Sequence, residues 1–102
     1  MKKTDKMSVH FSKKSDEWGT PQYVVDFYSP FDLDAAAGPD NHKAPIWFGE
    51  QEDGSFIDSL VQDWSPYKRV WCNPPYSMCK EFLKKAREES LKGCVVVVLI
   101  PS

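Results

Sequence analysis

The 102-residue chain predicts an α/β fold built on a parallel sheet, and three features of the sequence carry that expectation. The run Cys94-Val95-Val96-Val97-Val98-Leu99-Ile100 is continuously apolar and largely β-branched, the pattern of a strand covered on both faces. A second apolar run, Lys68 to Cys72, reads as another strand, and it precedes a stretch of helical periodicity from Met78 to about Leu91. Strand, helix and strand in that order close into a right-handed βαβ unit.

The remaining elements follow in chain order. Residues 1–17 are polar, rich in lysine and without periodicity, and read as a flexible leader ahead of a single domain over 18–102. Thr20 is a good N-cap and Pro21 suits the first helical position, so a short helix is expected from Pro21 to Tyr28, with Val24, Val25 and Tyr28 turned inward. Ser29-Pro30 ends it. Phe31 to Ala36 alternates as a strand does and runs into the small-residue turn Ala37-Gly38-Pro39. Ile46-Trp47-Phe48 suits a short strand, the acidic glycine-containing stretch after it a loop, and Phe56 to Val61 a helical turn before Asp63-Trp64. Ser77 is expected to cap the helix that buries Phe82, Leu83 and Ala86, and Gly93 to close it.

Composition bounds what such a domain does. The net charge of -2 argues against a binder that holds nucleic acid by charge alone, although lysines crowd residues 2–14 and 80–92. The three cysteines match no zinc spacing and the two histidines lie far from them, so no metal site is expected and the thiols suit a reducing cytosol. The longest apolar run, Cys94 to Ile100, is much too short to cross a bilayer.

The chemistry concentrates in Asn73-Pro74-Pro75-Tyr76, directly after the strand that ends at Cys72. A planar amino group offers two donors and a ring face. The Asn73 side-chain oxygen can accept one hydrogen bond and the Pro74 carbonyl the other, Pro75 stiffens the turn, and Tyr76 can stack on the ring. A nitrogen held by two acceptors leaves the plane of its ring, and its lone pair becomes free to attack a methyl group on a sulfonium. That reaction needs positioning rather than a covalent enzyme nucleophile. The same turn suits adenine N6, cytosine N4 or a protein glutamine, and a Pro-Pro pair after a strand is also a common rigid turn. Both this motif and Asp34-Ala35-Ala36-Ala37 fall at strand carboxyl ends, where open α/β sheets bind their ligands.

Taken together, Trp18-Gly19-Thr20-Pro21, Phe31 to Ala37, Asp63-Trp64, Val70 to Ser77 and the valine-rich strand before Pro101 resemble the phage-type DNA N6-adenine methyltransferases, over about Asp16 to Ser102. The resemblance implies a Rossmann-like, S-adenosylmethionine-dependent sheet. It places Trp18, Thr20 and Pro21 at the border of the cofactor pocket, Asp34, Ala35 and Ala36 in the first cofactor turn, and Asp63 at the cofactor's adenine end. Asn73, Pro74, Pro75 and Tyr76 would act on an adenine flipped out of DNA, in the cytoplasm of a bacterial host. Alanines stand here where that turn usually carries glycine. Asp34 and Thr20 also suit helix caps, and Trp18 and Trp64 also suit core. The usual sheet of this plan continues past the strand that ends at Ile100, so that strand is expected to be an edge, completed by another chain or by a longer C-terminal part. The competing expectation is a non-catalytic remnant that binds DNA or a partner.

Overall fold

The computed structural model describes residues 9–13, 25, 26 and 28–100. They build one six-stranded sheet from β1 (Val9–Lys13), β2 (Leu33–Ala37), β3 (Trp47–Glu50), β4 (Phe56–Ile57), β5 (Arg69–Cys72) and β6 (Val95–Ile100), in the order β1-β6-β5-β2-β3-β4. Every neighbouring pair is parallel except β3 and β4, which form an antiparallel edge. Helix α1 (Cys79–Ser90) connects β5 to β6.

Alternation along the strands sorts the core into two faces. Val70, Cys72, Val96 and Val98 pack with Leu33, Ala35, Phe48 and Trp64 against Phe82 and Ala86 of α1. Trp71, Val97 and Leu99 point the other way and pack with Val25, Phe31 and Ala44. Both faces of β5 and β6 are therefore covered, which explains why their sequences are apolar runs rather than alternating ones. The expected inward stripe of α1 is present, with Phe82 and Ala86 buried and Leu83 half-buried against the same cluster. Gly93 follows the helix at φ +116°, and its N–H bonds the Ser90 carbonyl at 3.0 Å.

Four expectations are corrected. The stretch read as a leader contains β1, and this strand pairs in parallel with β6 from Val9↔Val96 to Lys13↔Ile100. Strand β6 is consequently interior rather than an edge. The backbone groups of an apolar strand take a partner wherever one can be aligned, and that tertiary gain outweighs weak local periodicity. Third, the loop expected after Phe48 is a hairpin: Gln51 N–H bonds Ser55 O at 2.8 Å and Gly54 N–H bonds Gln51 O at 2.9 Å. Phe56 and Ile57 belong to its return strand, so only Ser59–Val61 forms the expected turn, as one 3₁₀ turn capped by Asp58. Finally, Ser77 caps nothing. It lies inside a 3₁₀ turn, Tyr76–Met78, that feeds directly into α1.

The expected helix over Pro21 to Tyr28 is described only at Val25, Asp26 and Tyr28, which are helical. Ser29 N–H bonds Val25 O at 2.8 Å, ahead of a cis Ser29-Pro30 peptide. Among the described residues no helix is long and apolar enough to cross a membrane.

Candidate functional site

Strands β2 and β5 are neighbours, yet the chain leaves β2 toward β3 on one side and leaves β5 toward β6 on the other. At such a switch point the two departing connections diverge and leave a crevice beyond the strand ends. A pocket of about 350 Å³ occupies it here. One wall is Ala36, Ala37 and Gly38 with Asn41, a second is Gly49, Glu50 and Phe56, and a third is Asn73, Pro74 and Pro75, with Phe82 of α1 completing the lining.

The alanine wall departs from a regular strand. The β2–β3 register shifts between Asp34 and Ala37, so the end of β2 is bulged. Asp34 holds the bulge: its Oδ1 accepts the Ala36 N–H at 3.2 Å, and its Oδ2 accepts the Lys43 N–H at 2.8 Å. Beyond it, Gly38 N–H donates to Asn41 Oδ1 at 2.8 Å and closes the turn. Gly49 of β3 lies against this bulge at φ +124°, where a Cβ would sit 2.0 Å from the Ala37 carbonyl oxygen. Only glycine lets β3 approach that closely.

Asn73 comes straight off β5, half-buried, with its Oδ1 buried. Pro74 is fully buried and Pro75 exposed. The Pro75 carbonyl accepts the Met78 N–H at 3.0 Å, so the corner is fixed between a strand and a helical turn. Tyr76 stands outside the pocket wall, 68% exposed on that turn.

Charge at the site is sparse. Burial pushes the Asp34 carboxyl up to about 6, against the opposing pull of the Lys43 and Ala36 N–H groups and of nearby His42 and Lys43. Burial also holds the Cys72 thiol well above its ordinary value, with Asp34 and Cys79 adding to the effect, so Cys72 stays neutral and is no nucleophile. Glu50 is the one carboxylate in the pocket wall. Among the described residues no group of three or more His, Cys, Asp or Glu side chains can hold a metal ion.

The residues anticipated from sequence divide accordingly. Asn73, Pro74, Pro75 and Ala36 line one pocket. Ala35 is instead core, and Asp34 braces the bulge rather than facing the cavity. Asp63 lies at the opposite end of the sheet, 3.5 Å from Lys92 in the turn that enters β6, with its carboxylate spent on the Ser65 hydroxyl and N–H at 2.7 and 3.0 Å. Those Ser65 bonds, with Lys92 adding to them, hold it down to about 2. Trp18, Thr20 and Pro21 lie outside the described residues. The sequence reading missed Ala37, Gly38, Asn41, Gly49, Glu50 and Phe56. Glu50 carried a usable signal, an acidic residue ending a strand beside the first βα turn. A second hollow of about 430 Å³, lined by Val25 and residues 42–45, is larger but carries none of these groups.

Comparison with known proteins adds a family. The family model for DNA N-6-adenine-methyltransferase (Dam) matches residues 7–102. The chain is 33% identical over 91 residues to a DNA N-6-adenine-methyltransferase of Escherichia phage T1, covering 85% of this chain and 36% of that protein. It is 31% identical over 101 residues to a DNA N-6-adenine-methyltransferase of Haemophilus phage HP1 (strain HP1c1), covering 92% of this chain and 55% of that protein. It thus spans between about a third and just over half the length of these curated relatives. No solved structure matches it.

Proposed function

The chain belongs to the DNA N-6-adenine-methyltransferase family, and from that premise we propose that its switch-point pocket serves transfer of a methyl group from S-adenosylmethionine to N6 of adenine in DNA. One observation carries the reading: the Asn73-Pro74-Pro75 corner and the Ala36-Ala37-Gly38 turn, separate in sequence, face the same cavity. A methyl acceptor and a methyl donor have to meet in one place, and these are the two motifs suited to hold them.

The lining fits the donor. A cavity of about 350 Å³ lies at the lower end of small-molecule sites, roughly 300–1,000 Å³. The small side chains of Ala36, Ala37 and Gly38 let the backbone come close to a ligand, and the Glu50 carboxylate at the end of β3 suits a ribose diol. Trp18, Thr20 and Pro21 belong to the same proposal as its further border. When bound, S-adenosylmethionine supplies the electrophilic methyl group. The chain's own groups do the rest: Asn73 and the Pro74 carbonyl accept from the adenine amino group and turn its lone pair out of the ring, and Pro75 keeps the corner rigid. Tyr76, exposed beside it, gives the flipped base a face to stack on, which offsets part of the roughly few kcal/mol of unstacking. The reaction belongs in the cytoplasm of a bacterial host, where phage DNA is copied.

Tritiated S-adenosylmethionine and unmethylated DNA, followed by nucleoside analysis, test this directly. Label is expected in N6-methyladenine, and Asn73→Ala should lower its incorporation about 100-fold or more, the order seen when a group acting on the transition state is removed. Undiminished incorporation by Asn73→Ala, or label in N4-methylcytosine, would overturn the assignment.

A further inference from the structure

Phe56 is out of place on ordinary packing grounds. It is a large aromatic residue in a strand, yet 71% exposed, and it lines the pocket. In the β3–β4 pair it stands directly opposite Glu50, and Gly49 stands opposite Ile57. Residues opposed in this way project from the same face, with Cβ atoms about 4.5–5.5 Å apart. Phe48, two residues before Glu50, packs into the cluster that contains Phe82, so Glu50 and Phe56 rise on the α1 side of the sheet, where the cavity lies. The wall is built in advance of any ligand. Besides the hairpin's own bonds, Gln51 Nε2 donates to the Trp47 and Gly49 carbonyls at 3.0 and 3.1 Å.

A carboxylate and an aromatic face side by side match one kind of molecule. A ribonucleoside carries a vicinal diol and, one glycosidic bond away, a flat base. The carboxylate can accept from both hydroxyls while the ring covers the base, a contact worth about 1–3 kcal/mol. A nucleotide of the DNA strand fits the same wall badly, because it lacks the 2′-hydroxyl and brings phosphates that Glu50 repels. We infer that Phe56 is the surface on which the adenine of the methyl donor stacks, with Glu50 beside it on the ribose. The inference rests on the donor site proposed above and adds to it a residue of the hairpin edge that determines affinity for the base.

Isothermal titration with S-adenosylhomocysteine separates the two levels. Phe56→Leu keeps an apolar side chain of similar bulk and removes the aromatic face, whereas Phe56→Tyr keeps the face. The expected result is that Phe56→Leu weakens binding about 10-fold or more, within the range that stacking covers, while Phe56→Tyr stays within about 3-fold of the unaltered chain. Equal affinity in Phe56→Leu and the unaltered chain would remove Phe56 from the donor site. So would a variant with unchanged affinity for S-adenosylhomocysteine but weaker binding of DNA, which would give the ring to the target base. If the unaltered chain itself gives no heat with S-adenosylhomocysteine, the donor site fails, and Phe56's role fails with it for a different and recognisable reason.

Discussion

Asp34 and Glu89 are both buried carboxylates on one sheet, 1% and 2% exposed, and their titration is displaced in opposite directions. Glu89 sits where α1 ends and the strands begin. Burial pushes it up, but Lys92, the Trp64 N–H and Lys85 bond to it at 2.9, 2.8 and 3.1 Å and together bring it below its ordinary value. Asp34 sits under the bulge beside the pocket, bonded only to backbone N–H groups among the contacts given, and burial prevails. Two carboxylates of equal exposure therefore differ because one end of the sheet supplies cations and the other does not. The amino end is also tied by Asp32, whose Oδ2 accepts the Lys68 and Arg69 N–H groups at 3.1 and 3.0 Å, and by Arg69, which donates to the Tyr28 and Pro30 carbonyls. The carboxyl end instead leaves Phe56 and Tyr76 largely in solvent. Interactions that only stabilise gather at one end, and groups suited to a ligand gather at the other.

The comparison breaks most visibly at Glu89. Glu89→Ala removes the acceptor of a buried N–H and leaves the Lys85 ammonium, on a largely buried side chain, without its carboxylate. Taking one partner from such a pair costs about 3–5 kcal/mol. Urea denaturation followed by tryptophan fluorescence should show that loss. A change below 1 kcal/mol would mean that the ion pairs contribute nothing net.

Asp34 gives the sharper, pH-dependent contrast. Its folded value, about 6, lies above the ordinary 3.8, so the folded chain holds this proton more tightly than the unfolded one. Its protonation stabilises the fold as pH falls from about 6 toward 3.8, and that increment is absent at neutral pH. Asp34→Asn does not titrate there. The stability of the unaltered chain minus that of Asp34→Asn should therefore decrease by roughly 2 kcal/mol between about pH 4.5 and 7.5. Urea midpoints at the two pH values measure it. A difference that is flat, or that grows with pH, would show that Asp34 is not held in its neutral form.

The same contrast explains what was legible in the sequence. Strands β2, β5 and β6, helix α1 and the Asn73-Pro74-Pro75 corner were legible because each writes its environment locally, as apolar runs, a 3.6-residue stripe or prolines. Strand β1 was not, since its partner lies more than 80 residues away and only the pairing makes it a strand. Asp34 and Asp63 were placed by motif. The fold then used one as a brace and put the other at the far end, which no spacing rule conveys. Phe56 was missed for the converse reason: its importance comes from standing opposite Glu50 across a hairpin that had been read as a loop.

The smallest effect on stability belongs to Tyr76, and there the two ends separate most cleanly. At 68% exposure on a single 3₁₀ turn, its ring contributes little to the core, so Tyr76→Ala should shift stability by no more than about 0.5 kcal/mol. Its loss from a flipped base is another matter, since stacking is worth about 1–3 kcal/mol. Methyl transfer should therefore fall about 5- to 150-fold while the urea midpoint stays in place, the opposite of the result expected for Glu89→Ala. Tyr76→Phe keeps the ring and should restore most of the rate. If Tyr76→Ala loses stability as well, Tyr76 is a packing residue and the carboxyl end is less open to a ligand than its exposed aromatics suggest. If neither rate nor midpoint moves, the base is held by Asn73 and Pro74 alone.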